Sequence, residues 1–112
     1  MSVRLARGRG RWYNQAVSSR VLARLRALVR SRQYVMTLHA DEEMDADGFT
    51  IVDVENALLT GELVGRQTDR ESRERKYLIQ GSSADRTADL VVVVKFGLGN
   101  QLVIVTVYAN ES

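Results

Sequence analysis

The hydrophobic period of this chain changes once, at Gly61, and that change limits the fold more than any other feature. Before it, apolar residues recur every three or four positions; after it, every second position. The first spacing lays a stripe along a helix, and the second lays one face along a strand. Val17, Val21, Leu25, Leu28 and Val29, with Leu22 beside them, form such a stripe between about Asn14 and Tyr34, with Arg20, Arg24 and Arg30 largely off it. The pattern predicts an amphipathic helix that packs on the domain or, alternatively, on a partner or membrane surface. Residues 34–38, YVMTL, read as extended or turn-like. Thr37 is placed to cap a short helix over 39–45, whose acidic first turn suits the helix dipole. Asp47-Gly48 stops it. Thr50, with Asp53 three residues on, makes a variant of the capping box for a further helix. Ile51, Val54, Ala57 and Leu58 line one face of that helix, and Gly61 stands where a left-handed terminal residue is favoured.

Beyond Gly61, segments 62–67, 74–80, 89–96 and 101–108 read as strands, separated by TDRESR, GSSADRTA and GLGN. Connections this short predict an antiparallel meander. The two Val-rich strands are expected at its centre, since both their faces are apolar. The fold class is therefore α+β, with N-terminal helices packed on one face of a four-stranded antiparallel meander sheet. The 112 residues suffice for one domain, over 14–112, preceded by an arginine-rich stretch 1–13 read as a disordered basic arm. If the last hairpin pairs Phe96 with Gln101, Lys95 lies opposite Leu102, on a face with Ile104, Thr106 and Tyr108. Val92, Val94, Val103, Val105 and Val107 then share the face that meets the helices.

Composition removes several kinds of chemistry. There is no cysteine, so disulfides, thiolate zinc sites, iron–sulfur clusters and cysteine nucleophiles are excluded; one histidine excludes a multi-histidine metal site. No cofactor or metal is expected. No apolar run approaches the ~20 residues of a membrane span, and no signal-peptide pattern follows the basic start, so the cytoplasm is the expected compartment. Charge is strongly uneven. Residues 1–40 hold nine arginines and no acid, whereas 41–112 hold all 14 acids against seven bases. A basic segment on an acidic body serves phosphate or anionic-lipid contact, or it neutralises its own chain or a second copy.

The common catalytic motifs are absent. The glycines of GLGN lie between strands and make a hairpin, not a nucleotide cradle. Glu42, Glu43, Asp45 and Asp47 do not have the spacing of a calcium loop. His39 is the one side chain whose ordinary range spans neutrality, and Glu42 and Glu43 lie three and four positions on, within reach of it. That supplies a proton-transfer group with an orienting carboxylate; the plainer reading is a structural histidine. Lys95, Thr106 and Tyr108, with Arg75, Lys76 and Tyr77 on a neighbouring strand, offer cations and phenols on an open sheet face. Such groups bind and polarise a phosphodiester without a metal. Their plainer roles are to end an inner strand (Lys95) and to anchor core edges (Tyr77, Tyr108).

His39-Ala40 opening a helix, a Gly turn, Asp53-Val54 with Gly61, Tyr77-Leu78 with Gly81, and the closing Ile104-Val105-Thr106-Val107-Tyr108 together resemble the small bacterial domain-of-unknown-function family numbered 4258, over about residues 34–109. The resemblance implies a fold similar to RelE-type mRNA interferases, within the barnase–EndoU–colicin–RelE superfold. It implies the toxin of a toxin–antitoxin pair, partnered by a small zinc-finger or helix-turn-helix antitoxin. The implied activity is metal-independent RNA cleavage through attack by the 2′-hydroxyl, with His39 and the residues around Thr106 and Tyr108 as site positions. On that reading His39 is general base or acid, and Lys95 with Arg75 or Lys76 stabilises the phosphorane. Tyr77 or Tyr108 stacks on a base, and Arg20, Arg24 and Arg30 bind RNA. The stretch HADEEM departs from the family's His-Ala-x-x-Arg-Met-like pattern, because Glu43 stands where many members carry arginine. The alternative is a non-catalytic protein-interaction domain, homo-oligomeric through its basic helix.

Overall fold

The computed structural model describes residues 19–110. Helix α1 (residues 19–30) is followed by strand β1 (Tyr34–Met36), helices α2 (Leu38–Ala46) and α3 (Ile51–Thr60), and strands β2 (Glu62–Thr68), β3 (Arg75–Ser82), β4 (Asp89–Gly97) and β5 (Gln101–Ala109). The basic arm 1–13 and the start of the first predicted helix lie outside the described residues. Helix α1 ends before Tyr34, because Arg32 turns to a φ of 58° and the Gln33 N–H returns to the Leu28 carbonyl.

Strands β2 to β5 form the expected antiparallel meander. The sheet nevertheless has five strands, in the order β1-β5-β4-β3-β2. The expectation of four strands, all antiparallel, is thereby corrected. Strand β1 runs parallel to β5, with Tyr34 opposite Leu102 and Met36 opposite Ile104. Three residues are too few to display an alternation, and a parallel partner on the last strand of the chain leaves no hairpin signal between them.

All three helices bury their apolar stripes in one core. Leu25, Leu28 and Val29 of α1, Ala40 and Met44 of α2, and Val54, Ala57 and Leu58 of α3 meet Ile79, Val92, Val94, Ile104 and Val107 of the sheet. Ile51, at the margin of the α3 face, is exposed instead. The first two turns of α3 are fastened to the end of β3 and to the β3–β4 loop. Asp53 accepts the Ala84 N–H at 2.9 Å, and the Asn56 amide donates to the Ser82 carbonyl at 3.0 Å.

Arg26 belongs to this core and not to a free basic surface. Its guanidinium donates to the Leu58 carbonyl at 3.2 Å and to the Gly61 carbonyl at 2.7 Å, which places a cation on the negative end of α3. Arg26→Ala is expected to cost about 1.5–3 kcal/mol, the range for hydrogen bonds to a charged group. Urea unfolding checks this, with Arg26→Lys expected to fall between the two. The position of Gly61 predicts a left-handed residue, but its φ is −82° and that expectation is corrected. Its missing side chain serves close packing, since a Cβ there would strike the carbonyls of Gln80 and Ala57.

Strand β1 is tied to α3 by the Tyr34 hydroxyl, which donates to the Glu55 carboxylate. Burial and that carboxylate push the Tyr34 phenol up to about 12. An unfolded tyrosine ionises near 10, so the fold favours the neutral phenol, and this stabilisation is lost as pH rises from about 10 through 12. Tyr34→Phe is expected to flatten that part of the alkaline unfolding curve.

The β4–β5 hairpin differs from the expected register by one residue. Phe96 pairs with Leu102 and Lys95 with Val103, while Gly97 pairs with Gln101. Leu102 and Ile104 therefore enter the core, and Val103 and Val105 do not. A bulge then returns the strand to the expected alternation, because Val94 faces Ile104 whereas Val93 faces Thr106, leaving Val105 as the extra residue. Lys95, Thr106 and Tyr108 thus share the face away from the helices, with Val91 and Val93.

A candidate functional site at the edge of the last strand

Strand β1 covers β5 only as far as Ile104, and α2 completes the edge. The Thr37 N–H donates to the Ile104 carbonyl at 3.0 Å, and the Thr37 hydroxyl donates to the Val105 carbonyl at 3.2 Å. Further along, Glu43 Oε1 accepts the Val107 N–H at 3.1 Å and Asp47 Oδ2 accepts the Ala109 N–H at 3.0 Å. A helix rises about 6 Å in four residues and a strand about 6.7 Å in two. The carboxylates of Glu43 on α2 and of Asp47, which caps the end of α2, stand four residues apart and therefore match successive outward N–H groups of β5. A helix here does the work of an edge strand and leaves no open ladder.

His39 stands on this seam. Its Nε2 lies 3.2 Å from Glu43 Oε1, the same oxygen that holds the Val107 N–H, and 68% of its side chain is exposed. The arrangement presents an imidazole to solvent while its backing carboxylate is fixed to the sheet. Thr106 and Tyr108 flank Val107 in the chain and point to the sheet face away from the helices, where Tyr108 is 38% exposed. The α2–β5 seam thus brings His39, Glu43 and the 106–108 stretch together.

The other expected site residues are placed differently. Lys95 lies on the same sheet face as Thr106, opposite Val103, but its ammonium is 2.8 Å from Glu74 Oε2. Lys76 is half-buried on that face, whereas exposed Arg75 alternates in phase with Tyr77 toward the helix side. Tyr77 is not available for stacking on a base. It is 7% exposed in the core, edge-on to Phe96 with ring centroids 5.8 Å apart, because its register partner Val94 faces the helices. The expectation of an open-face phenol at this position is corrected. Arg24 stacks over Phe96 at 3.9 Å from the ring centroid, while Arg20 and Arg30 are exposed on the outer side of α1.

Sequence reasoning placed Glu43 beside His39 but missed its second bond, and it missed Asp47 and Thr37 as edge partners altogether. The available signal was the Glu43–Asp47 spacing of four, which places both carboxylates on one side of α2. Among the described residues no group of His, Asp and Glu is arranged to hold a metal ion, and no helix is long and apolar enough to cross a membrane.

Residues 36–109 match the family described as "Domain of unknown function (DUF4258)". Neither the curated proteins nor the solved structures give a match to the chain.

Proposed function

From the premise that this chain belongs to the DUF4258 family, we propose that it is a metal-independent RNA endonuclease of the RelE-like kind, acting as the toxin of a toxin–antitoxin pair. The observation that carries this reading is the exposed His39 backed by Glu43, itself fixed to the β5 backbone. With Nε2 held at the carboxylate, Nδ1 is left to exchange a proton with a ligand. In the proposed step the 2′-oxygen attacks phosphorus and the bond to the 5′-oxygen breaks. His39 takes the 2′-hydroxyl proton, and water donates a proton to the departing 5′-oxygen, leaving a 2′,3′-cyclic phosphate. Thr106 and Tyr108 project to the sheet face away from the helices and contact the substrate in this reading only where it passes around the β5 edge, and Lys95 reaches a phosphate only by leaving Glu74. The reading includes a cytoplasmic location and a small zinc-finger or helix-turn-helix antitoxin as partner.

The test is cleavage of RNA by the purified protein in the presence of a chelator. His39→Ala is expected to lower the rate by about 10²–10⁴-fold, the usual worth of a positioned acid–base group, with unchanged thermal unfolding. In a bacterial host, growth arrest and RNA decay should follow induction of the wild type alone. Intact RNA with the folded wild type, or equal cleavage by His39→Ala, overturns the reading.

A further inference from the structure

The surface charges of this domain are segregated by helix. Described α1 carries no acid and exposes Arg20, Arg24 and Arg30, of which Arg24 also stacks over Phe96. At about 100° per residue these three fall within roughly a third of the circumference, around the exposed Ala23 and Ala27. Helix α2 is the reverse: it exposes Asp41, Glu42 and Asp45 on one stripe around Leu38, whose exposure is 75%. Among the described residues the ion pairs are Arg32–Glu55 and Lys95–Glu74, and His39 contacts Glu43 within α2. None joins the α1 arginines to the α2 acids, so the two stripes do not neutralise each other within one described chain.

We infer that the arginine stripe of α1 docks on the acidic stripe of α2 in a second copy of this chain. Both helices lie on the same side of the sheet. Two copies related by a two-fold axis can therefore pair α1 with the partner's α2 and α2 with the partner's α1 at once, which makes the surface self-complementary. Leu38 gives the acidic stripe an apolar centre facing the two alanines. The pairing also brings arginines beside His39, whose neighbour on α2 is the Glu43 carboxylate; this consequence rests on the nuclease reading, whereas the interface does not. Like charges at a phosphate site oppose binding, and cations supplied by the second copy remove that obstacle.

The test is sedimentation equilibrium of the full chain with charge-reversed variants, their folding checked by circular dichroism. The wild type is expected to be a dimer at low salt and to dissociate as salt screens the pairing. Arg20→Glu with Arg30→Glu, and separately Asp41→Lys with Asp45→Lys, are each expected to give monomers. An equimolar mixture of the two should recover the dimer, because both contacts are again of opposite charge. A monomeric wild type at low salt, or a dimer indifferent to both reversals, overturns the inference. RNA cleavage by a wild-type monomer would overturn the interface and leave the nuclease reading standing. A charge-dependent dimer that leaves RNA intact would do the opposite.

Discussion

Gly81→Ala is expected to destabilise the domain by about 3 kcal/mol, at the upper end of what overpacking costs. A Cβ at Gly81 would lie 2.7 Å from both the Cα and the carbonyl oxygen of Ala57. Those are backbone atoms of α3 and have no rotamer to escape into. The helix itself must move off β3, and with it Val54, Ala57 and Leu58, all fully buried. At this chain length such a loss lowers Tm by roughly 12 °C or more. Gly65→Ala is the internal control. Its Cβ would meet Leu78 at 3.6 Å, an ordinary contact, and its Tm is expected to stay within a few degrees of wild type. Equal effects at the two glycines would show that strand propensity, not helix–sheet distance, controls the response.

Gly81 also marks the limit of reading this fold from its residues. The glycine could be placed beside Tyr77-Leu78 as part of a family pattern, but the reason for it lies on α3, well before it in the chain. The same holds elsewhere. Thr37, Thr50 and Asp53 were legible because caps act within one turn. The strands after Gly61 were legible because alternation is local. Strand β1 was not, because its partner is the last strand and three residues carry no period. Tyr77 was misplaced because pleat parity tells which residues share a face, not which face the helices cover. The Lys95–Thr106–Tyr108 face emerged correctly only because the register difference and the Val105 bulge offset one another. Glu43 was read against a pattern that expects arginine, whereas its contacts are with His39 and the Val107 N–H. Its chemistry became apparent only once α2 lay along β5.

A chain cut to residues 36–109, the segment matched by the family, is expected to lose the native fold. The cut removes α1 and most of β1, and with them Leu25, Leu28 and Val29, which are at most 4% exposed in the shared core. Burial of a large aliphatic side chain contributes about 1.5–3 kcal/mol, so the three together supply roughly 5–9 kcal/mol. Small domains have a total stability of about 5–15 kcal/mol. The Arg26 bonds to the end of α3 and the Tyr34 bond to Glu55 are lost as well. The fragment should show no cooperative thermal transition and should bind a hydrophobic dye, as a compact chain with an uncovered core does. Leu25→Ala in the full chain grades the same effect, with an expected loss of about 2–5 kcal/mol. At a salt concentration that keeps the chain monomeric, Arg20→Glu, five residues earlier on the exposed side, should change stability by less than about 0.5 kcal/mol. A fragment that unfolds cooperatively at the wild-type midpoint would make α1 an attachment to a self-sufficient core. The expected result makes α1 part of the fold, with the arginines on its outer side held at fixed positions relative to His39.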